Sequence, residues 1–134
     1  MRASTDTVFG TVDKGADEAL TALWSAAGGH KWEAVEAVLF HVGDTLDGAG
    51  VPTWWPTGLP KRRRRGEVND TYVPVFAPVD PRAAAILRGI CTATEVGQAI
   101  ALETILHWAG EQMVDGHLPD WWPSSSIQEA LIPA

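Results

Sequence analysis

The segments Pro52-Thr53-Trp54-Trp55-Pro56 and Pro119-Asp120-Trp121-Trp122-Pro123 lie 67 residues apart in a chain of 134, so they coincide when the two halves are aligned without a gap. Fifteen of the 67 aligned positions are identical, whereas this composition would give about five by chance. Self-similarity at a fixed spacing usually marks a repeated structural unit. The sequence therefore predicts a single domain over residues 1–134, built from repeat one (1–67) and repeat two (68–134).

Each predicted repeat contains the same pattern of helices. Asp13 and Asp80 each precede an apolar helical stripe, and a carboxylate at that position can cap the exposed N–H groups of a helix. A second helix follows in each repeat, from about residue 31 to 46 and from about residue 95 to 113, where apolar residues recur at helical spacing. The pattern predicts two helical hairpins.

A single amphipathic hairpin cannot bury its own apolar face, so we expect the two hairpins to pack against each other. The predicted fold is all-α, with two tandem helical-hairpin repeats forming a pseudo-twofold four-helix core. The stretches 7–12 and 72–79 can add a short two-stranded β-ribbon. Pro74 and Pro78 lack a backbone donor and would restrict the second stretch to an edge or an irregular segment.

The composition is that of an ordinary soluble domain, with 46% apolar and 20% charged residues. No apolar run approaches the roughly 20 residues that a membrane helix requires, and the first residues do not resemble a secretory signal. We expect a cytoplasmic protein. The single cysteine, Cys91, excludes an internal disulfide. Many alanines, and more arginine than lysine, indicate a GC-rich genome and favour a bacterial or phage origin.

The paired tryptophans Trp54, Trp55, Trp121 and Trp122 are candidate partner-binding residues. Flanking prolines stiffen the chain, so adjacent indoles must point in different directions. One hypothesis is that each pair closes the open end of a helical hairpin. The other is that Trp55 or Trp122 stays partly exposed as an aromatic anchor, because tryptophan is enriched among interface hot spots.

The densest charged run is Lys61-Arg62-Arg63-Arg64-Arg65, in a predicted linker over residues 61–66. Removing these five positive charges from the net charge of −7 leaves −12 on the rest of the chain. The run can be a solvated linker lying over acidic helices, or a partner-binding segment that contacts phosphate. The acidic remainder disfavours a nucleic-acid-binding protein, so nucleic acid is an alternative partner through this run only.

Carboxylates and a histidine recur along one face of each long helix and are candidate ligands for a divalent metal. Their spacing would let two facing stripes assemble a carboxylate-rich site, as helical bundles do. The alternative is an ordinary solvated helix face. The candidate ligands are Glu36, Asp44, Glu103, His107 and Glu111.

No catalytic motif stands out from these patterns, so an enzyme is the less favoured interpretation. We expect a small acidic protein-binding module that regulates, inhibits or adapts a larger assembly through a protein partner, with a homodimer as one option. The alternatives are a metal-binding helical bundle or small metal-dependent enzyme, and a nucleic-acid-associated protein.

Overall fold

The computed structural model describes residues 4–63, 66 and 69–123. The elements follow the order strand-helix-helix twice, and β2, α3 and α4 begin 67 residues after β1, α1 and α2 respectively. Their bounds are β1 (Asp6–Val12), α1 (Lys14–Ala27), α2 (Lys31–Gly43), β2 (Val73–Val79), α3 (Pro81–Thr94) and α4 (Gln98–Glu111). Duplication of a 67-residue unit stays a prediction from the sequence.

The predicted all-α fold class is wrong. β1 and β2 are seven-residue strands that pair as a two-stranded antiparallel sheet, with Phe9 opposite Phe76 at its centre. Helices make up 47% of the described residues and extended residues, isolated bridges included, make up 16%, so the fold is mixed α/β. The strands belong to the core, because Val8, Val12 and Val75 have no exposed surface.

The all-α prediction gave too much weight to the prolines in β2. Pro74 lies opposite Thr11 and Pro78 lies opposite Thr7, four residues apart, so both occupy the same class of antiparallel pair. The Thr7, Phe9 and Thr11 carbonyls accept hydrogen bonds from side chains outside the sheet, so these backbone positions face away from β2. In such non-hydrogen-bonded pairs the missing proline N–H removes nothing from the ladder.

The aspartates cap the first helix of each half, as predicted. Asp13 Oδ1 accepts the Ala16 N–H at 2.8 Å, and Asp80 Oδ1 accepts the Arg82 N–H at 2.8 Å. The second helices are shorter than predicted. α2 ends at Gly43, and α4 begins at Gln98 because Glu95 adopts a left-handed conformation (φ 57°) that ends α3.

The helices pack across the two halves: α1 lies against α4 and α2 lies against α3. Two glycines permit close approach at these crossings. A Cβ on Gly110 would lie 2.6 Å from Ala19 Cβ, and a Cβ on Gly43 would lie 2.7 Å from Ile86 Cδ1. The sheet completes the core, because β1 packs on α4 and β2 packs on α2.

Within the described part of the chain, no helix combines the length and the apolar character needed to cross a bilayer.

Candidate functional site

Two glutamates predicted as metal ligands join the two halves of the molecule instead. Glu103 on α4 accepts the backbone N–H of Asp13 through Oε1 at 2.6 Å. Glu36 on α2 accepts the backbone N–H of Asp80 through Oε1 at 2.7 Å. Each glutamate therefore holds the capped start of a helix in the opposite half. We call these two contacts the crossed glutamate bonds.

The segment after the first tryptophan motif lies against α4. We call residues 59–63 the strap. The Lys61 carbonyl accepts the N–H of Gly97, the residue that precedes α4, at 2.8 Å, and Leu59 packs against the core. The backbone of Lys61 thus attaches the strap at the start of α4, and the Leu59 side chain attaches it to the core.

Arg63 anchors the end of the strap. Its Nη2 lies 3.0 Å from Glu103 Oε1, its Nη1 lies 3.4 Å from Oε2, and Nη2 also donates to the Thr11 carbonyl at 2.9 Å. The guanidinium lies over the Tyr72 ring, 5.0 Å from its centroid. The Arg63 and Glu103 side chains are only 12% and 17% exposed. This ion pair is therefore much less accessible to solvent than an ordinary surface pair.

The other positively charged residues of the basic run differ from Arg63. Lys61 forms an ion pair with Glu95 at 3.5 Å, with side chains 74% and 72% exposed, so this pair contributes little stability. Arg62 is exposed. Arg64 and Arg65 lie outside the described residues. The prediction that this run binds a partner stays a prediction, but the structure commits Arg63 to a contact within the chain.

The predicted metal-ligand stripe does not converge in the structure. His107 Nε2 lies 2.8 Å from Asp13 Oδ1, beside the Glu103 contact, whereas Glu36 faces Asp80. Asp44 follows the last residue of α2, and Glu111 is an exposed residue at the end of α4. Among residues 4–63, 66 and 69–123, no group of three or more His, Cys, Asp or Glu side chains is arranged to hold a metal ion.

Four aromatic side chains form a nearly parallel stack between the halves. The Trp54 ring lies on Trp108 at 4.3 Å and 7°, and the Trp121 ring lies on His41 at 4.0 Å and 1°. His41 and Trp108 stack on each other at 5.9 Å, which links the two pairs. We call these four side chains the aromatic stack. The first tryptophan of each motif is thus used to join the halves.

The indole N–H groups of Trp54 and Trp121 differ in their hydrogen bonding. The Trp54 indole N–H donates to Thr45 Oγ1 at 3.0 Å. The Trp121 indole N–H is buried and has no hydrogen-bond acceptor among the described residues. Burial lowers the pKa of His41, and the nearby Asp44 carboxylate acts in the opposite direction. His41 is therefore favoured in its neutral form.

The second tryptophan of each motif is partly buried. Trp55 is tilted by 48° against Trp54, and Trp122 is tilted by 35° against Trp121. Both pack against the core, so each motif closes one region of the hydrophobic interior. Trp122 also lines a cavity, whereas Trp55 is not among the described residues that line it.

A cleft of about 570 Å³ lies between the C-terminal end of α1, one face of α2 and the second tryptophan motif. We call it the α2 cleft. The described residues that line it include aromatic, small apolar and acidic side chains but no lysine or arginine. They are Ala26, Ala27, Gly28, Trp32, Glu33, Ala34, Glu36, Ala37, Phe40, Leu118, Pro119, Trp122 and Pro123. The cleft combines an apolar surface with two carboxylates, and both accept backbone N–H groups: Glu33 from His30 at 2.8 Å and Glu36 from Asp80 at 2.7 Å.

Sequence reasoning did not identify the α2 cleft. Trp32 and Phe40 lie within a predicted helix, and Glu36 belongs to the predicted metal-ligand stripe. The 67-residue spacing contained a usable signal, because it pairs Glu36 with Glu103 and Trp55 with Trp122. Helical periodicity could not predict that the strap lies against α4 beside Glu103, because the position of the strap depends on tertiary packing.

Cys91 is half-buried, and burial raises the pKa of its thiol. A raised pKa keeps the thiol protonated at neutral pH, and the thiolate is the nucleophilic form. Cys91 lies on α3 and packs against the hydrophobic core.

No protein-family model matches this chain, and neither the curated proteins nor the solved structures compared with it give a match.

Proposed function

We propose that this chain is a non-enzymatic protein-binding module and that the α2 cleft is its docking site. The observation that carries the proposal is the composition of the cleft: Trp32, Phe40 and Trp122 lie around Glu33 and Glu36 in a volume of about 570 Å³. Aromatic side chains supply much of the binding energy at protein interfaces, and a cleft of this size accommodates a few side chains of a partner.

The charge of the chain favours a protein ligand over nucleic acid. The net charge of −7 would repel a phosphate backbone, and the described lining of the cleft contains no lysine or arginine to bind one. Arg63, in the one dense basic run, already pairs with Glu103. A partner with a basic, partly apolar surface is complementary to this site in both charge and polarity.

The contacts of the carboxylates favour binding over catalysis. Glu103 holds Arg63 and the Asp13 N–H, and Glu36 holds the Asp80 N–H, so both serve the packing of the two halves. A general acid or base needs a group that can exchange protons with a bound substrate. We propose that the module adapts or inhibits a larger assembly by covering a basic segment of one of its proteins.

Photo-crosslinking from the cleft tests this function. A benzoylphenylalanine at Ala37, inside the cleft, is expected to crosslink to a defined protein in a lysate of the source organism, and the same group at Ser25, exposed on α1 outside the cleft, is not. The crosslinked protein is then purified and its affinity measured.

Ala37→Arg should weaken binding of the purified partner at least tenfold, because it fills the cleft and adds a like charge for a basic ligand. Ser25→Arg adds the same charge at an exposed helical position and should leave the affinity unchanged. Equal affinity for the wild type and Ala37→Arg would refute the proposed docking site.

A further inference from the structure

We infer that residues 124–134 of this chain cover the α2 cleft in the free protein, so that a partner must displace them in order to bind. The inference rests on the proposed function and adds the regulation of the same docking site. Its template is the strap, which follows the first tryptophan motif and lies against α4 beside Glu103.

The segment 124–134 begins at the cleft. It directly follows the second tryptophan motif, as the strap follows the first, and it lies outside the described residues. Pro123, the last described residue, lines the cleft together with Pro119 and Trp122. The segment therefore starts on the surface that we infer it covers.

The length of the segment is sufficient to cross the cleft. In the strap, Arg63 contacts Glu103 and comes seven residues after Pro56, the last residue of the first motif. Eleven residues follow Pro123 in the sequence. Because the reach of an extended chain grows with the number of its residues, the segment 124–134 can extend at least as far as the strap does.

The segment and the cleft have complementary apolar surfaces. Phe40 and Trp122 are among the aromatic side chains that line the cleft. The segment contains three large aliphatic residues, Ile127, Leu131 and Ile132, and no lysine or arginine. Removing aliphatic and aromatic surface from water favours contact between them.

The segment does not need an arginine for Glu36, because the fold already supplies one. Arg82 on α3 interacts electrostatically with Glu36, and its guanidinium lies over the Phe40 ring, 5.5 Å from the centroid. Arg82 also pairs with Asp80 at 2.8 Å. An apolar segment can therefore lie over the cleft without bringing a positive charge.

In the other half the arginine comes from a different part of the chain. The residue 67 positions before Arg82 is Gly15, which has no side chain, and there the strap supplies Arg63 to Glu103. The residue 67 positions after Arg63 is Ala130. Each crossed glutamate is thus served by an arginine, from the strap on α4 and from α3 on α2. This exchange explains how the segment 124–134 can act as a strap without a basic residue.

A segment tethered beside the cleft competes with a partner for the same surface. Only the fraction of molecules with an open cleft can bind, so the measured dissociation constant rises as that fraction falls. Weakening the contacts of the segment should therefore expose the cleft and strengthen partner binding together.

Thiol labelling in the cleft measures whether the segment covers it. In a full-length chain with Cys91→Ala, Ala37→Cys places the only thiol in the cleft. Ile127→Asn combined with Leu131→Asn removes two aliphatic side chains from the segment without adding charge. We expect this double substitution to raise the rate of maleimide labelling at least fivefold.

Matched controls test whether that increase is specific. Ser125→Asn combined with Gln128→Asn makes two substitutions in the same segment but keeps its aliphatic side chains, and should change the labelling rate less than twofold. Ser25→Cys, at an exposed position on α1 outside the cleft, should react at the same rate with either pair. Thermal unfolding of each variant checks that it is folded.

The second readout is the affinity for the purified partner, the protein crosslinked at Ala37. Ile127→Asn combined with Leu131→Asn should bind this protein at least fivefold more tightly than the wild type, because the segment no longer competes for the cleft. The control pair should bind it as the wild type does.

The inference is overturned if both pairs of substitutions change the labelling rate equally, or if neither changes it. It is also overturned if labelling of Ala37→Cys slows as the protein concentration rises, because a second copy would then be the occupant. If labelling is unchanged while Ala37→Arg weakens partner binding tenfold, this inference fails and the proposed function stands. If labelling rises at least fivefold but no protein crosslinks at Ala37, the proposed function fails and the segment is a second strap.

Discussion

The faces of α2 and α4 share one glutamate contact but differ in what lies beside it. Each carries a glutamate that accepts a backbone N–H from the opposite half. On α4 the strap lies beside that glutamate and Arg63 neutralises it, whereas on α2 the glutamate lines a cleft of about 570 Å³. One local arrangement therefore stabilises the fold where the strap covers it, and we propose that it serves recognition where a cleft lies beside it.

The largest expected difference between the two faces is in stability. Glu103→Ala removes the acceptor of the Asp13 N–H and leaves the Arg63 side chain, only 12% exposed, without its carboxylate. We expect a loss of about 3 kcal/mol, because removing one partner of a shielded ion pair leaves an uncompensated charge. Glu36→Ala removes the acceptor of the Asp80 N–H and should cost at least about 1 kcal/mol. We expect a smaller loss than for Glu103→Ala, because Arg82, which interacts with Glu36, has a side chain that is 80% exposed.

Urea unfolding of both variants and the wild type measures this difference. Equal losses for the two alanine variants would contradict the claim that the strap makes the α4 face a structural one.

The two helix crossings give the next largest difference. Gly110→Ala places a Cβ 2.6 Å from Ala19 Cβ and 3.4 Å from Ala19 Cα, and neither atom can move without moving α1. We expect a loss of about 2 kcal/mol from overpacking. At Gly43 the added Cβ meets the flexible end of Ile86 at 2.7 Å, so Gly43→Ala should cost less than about 1 kcal/mol. Denaturant unfolding that ranks these variants in the opposite order would contradict the described packing.

The aromatic stack gives a smaller difference. Trp54→Phe removes the hydrogen bond from the indole N–H to Thr45 Oγ1, whereas Trp121→Phe removes an N–H without an acceptor in the described part of the chain. Both substitutions lose similar ring area. Trp54→Phe should therefore destabilise the protein by about 1 kcal/mol more than Trp121→Phe. Thermal unfolding of the two variants measures the difference, and a larger loss for Trp121→Phe would contradict the assignment.

The pH dependence of His41 is the smallest expected effect. Burial lowers its folded-state pKa below the ordinary value of 6.5, so the unfolded chain binds the proton more readily. Well above pH 6.5, His41 is uncharged in both the folded and the unfolded chain, so its titration does not change the free energy of unfolding. As the pH drops from about 6.5 toward the lowered pKa of the folded state, the free energy of unfolding falls. His41→Phe should reduce this fall, and His117→Gln, at an exposed loop position, should not. A steeper fall in His41→Phe than in the wild type would contradict the sign.

Local helix signals could be predicted from the sequence because they depend on neighbouring residues. Asp13 and Asp80 cap α1 and α3 as expected, and the apolar spacing of Leu20 and Leu87 places both in the core. The sheet was less predictable from the sequence. A strand tolerates Pro74 where that position makes no hydrogen bond to the partner strand, and the register of pairing decides this.

The candidate site was much less predictable than the helices. From the sequence, Glu36 and Glu103 look like members of a solvated or metal-binding stripe, because helical spacing does not show which groups of the other half contact them. Both side chains reach backbone N–H groups more than 40 residues away in sequence. Arg63 looked like one of five equivalent charges, and its burial depends on the path of the strap. Long-range contacts of this kind are set by tertiary packing.

The most direct test of the account is a double-mutant cycle between Arg63 and Glu103, measured by urea unfolding of the wild type, Arg63→Ala, Glu103→Ala and the double variant. Residues in contact at 3.0 Å within a shielded pair should couple, and we expect a coupling free energy above about 1 kcal/mol. That result would establish the strap contact on which the comparison with the α2 cleft depends. A coupling within about 0.3 kcal/mol of zero would contradict it.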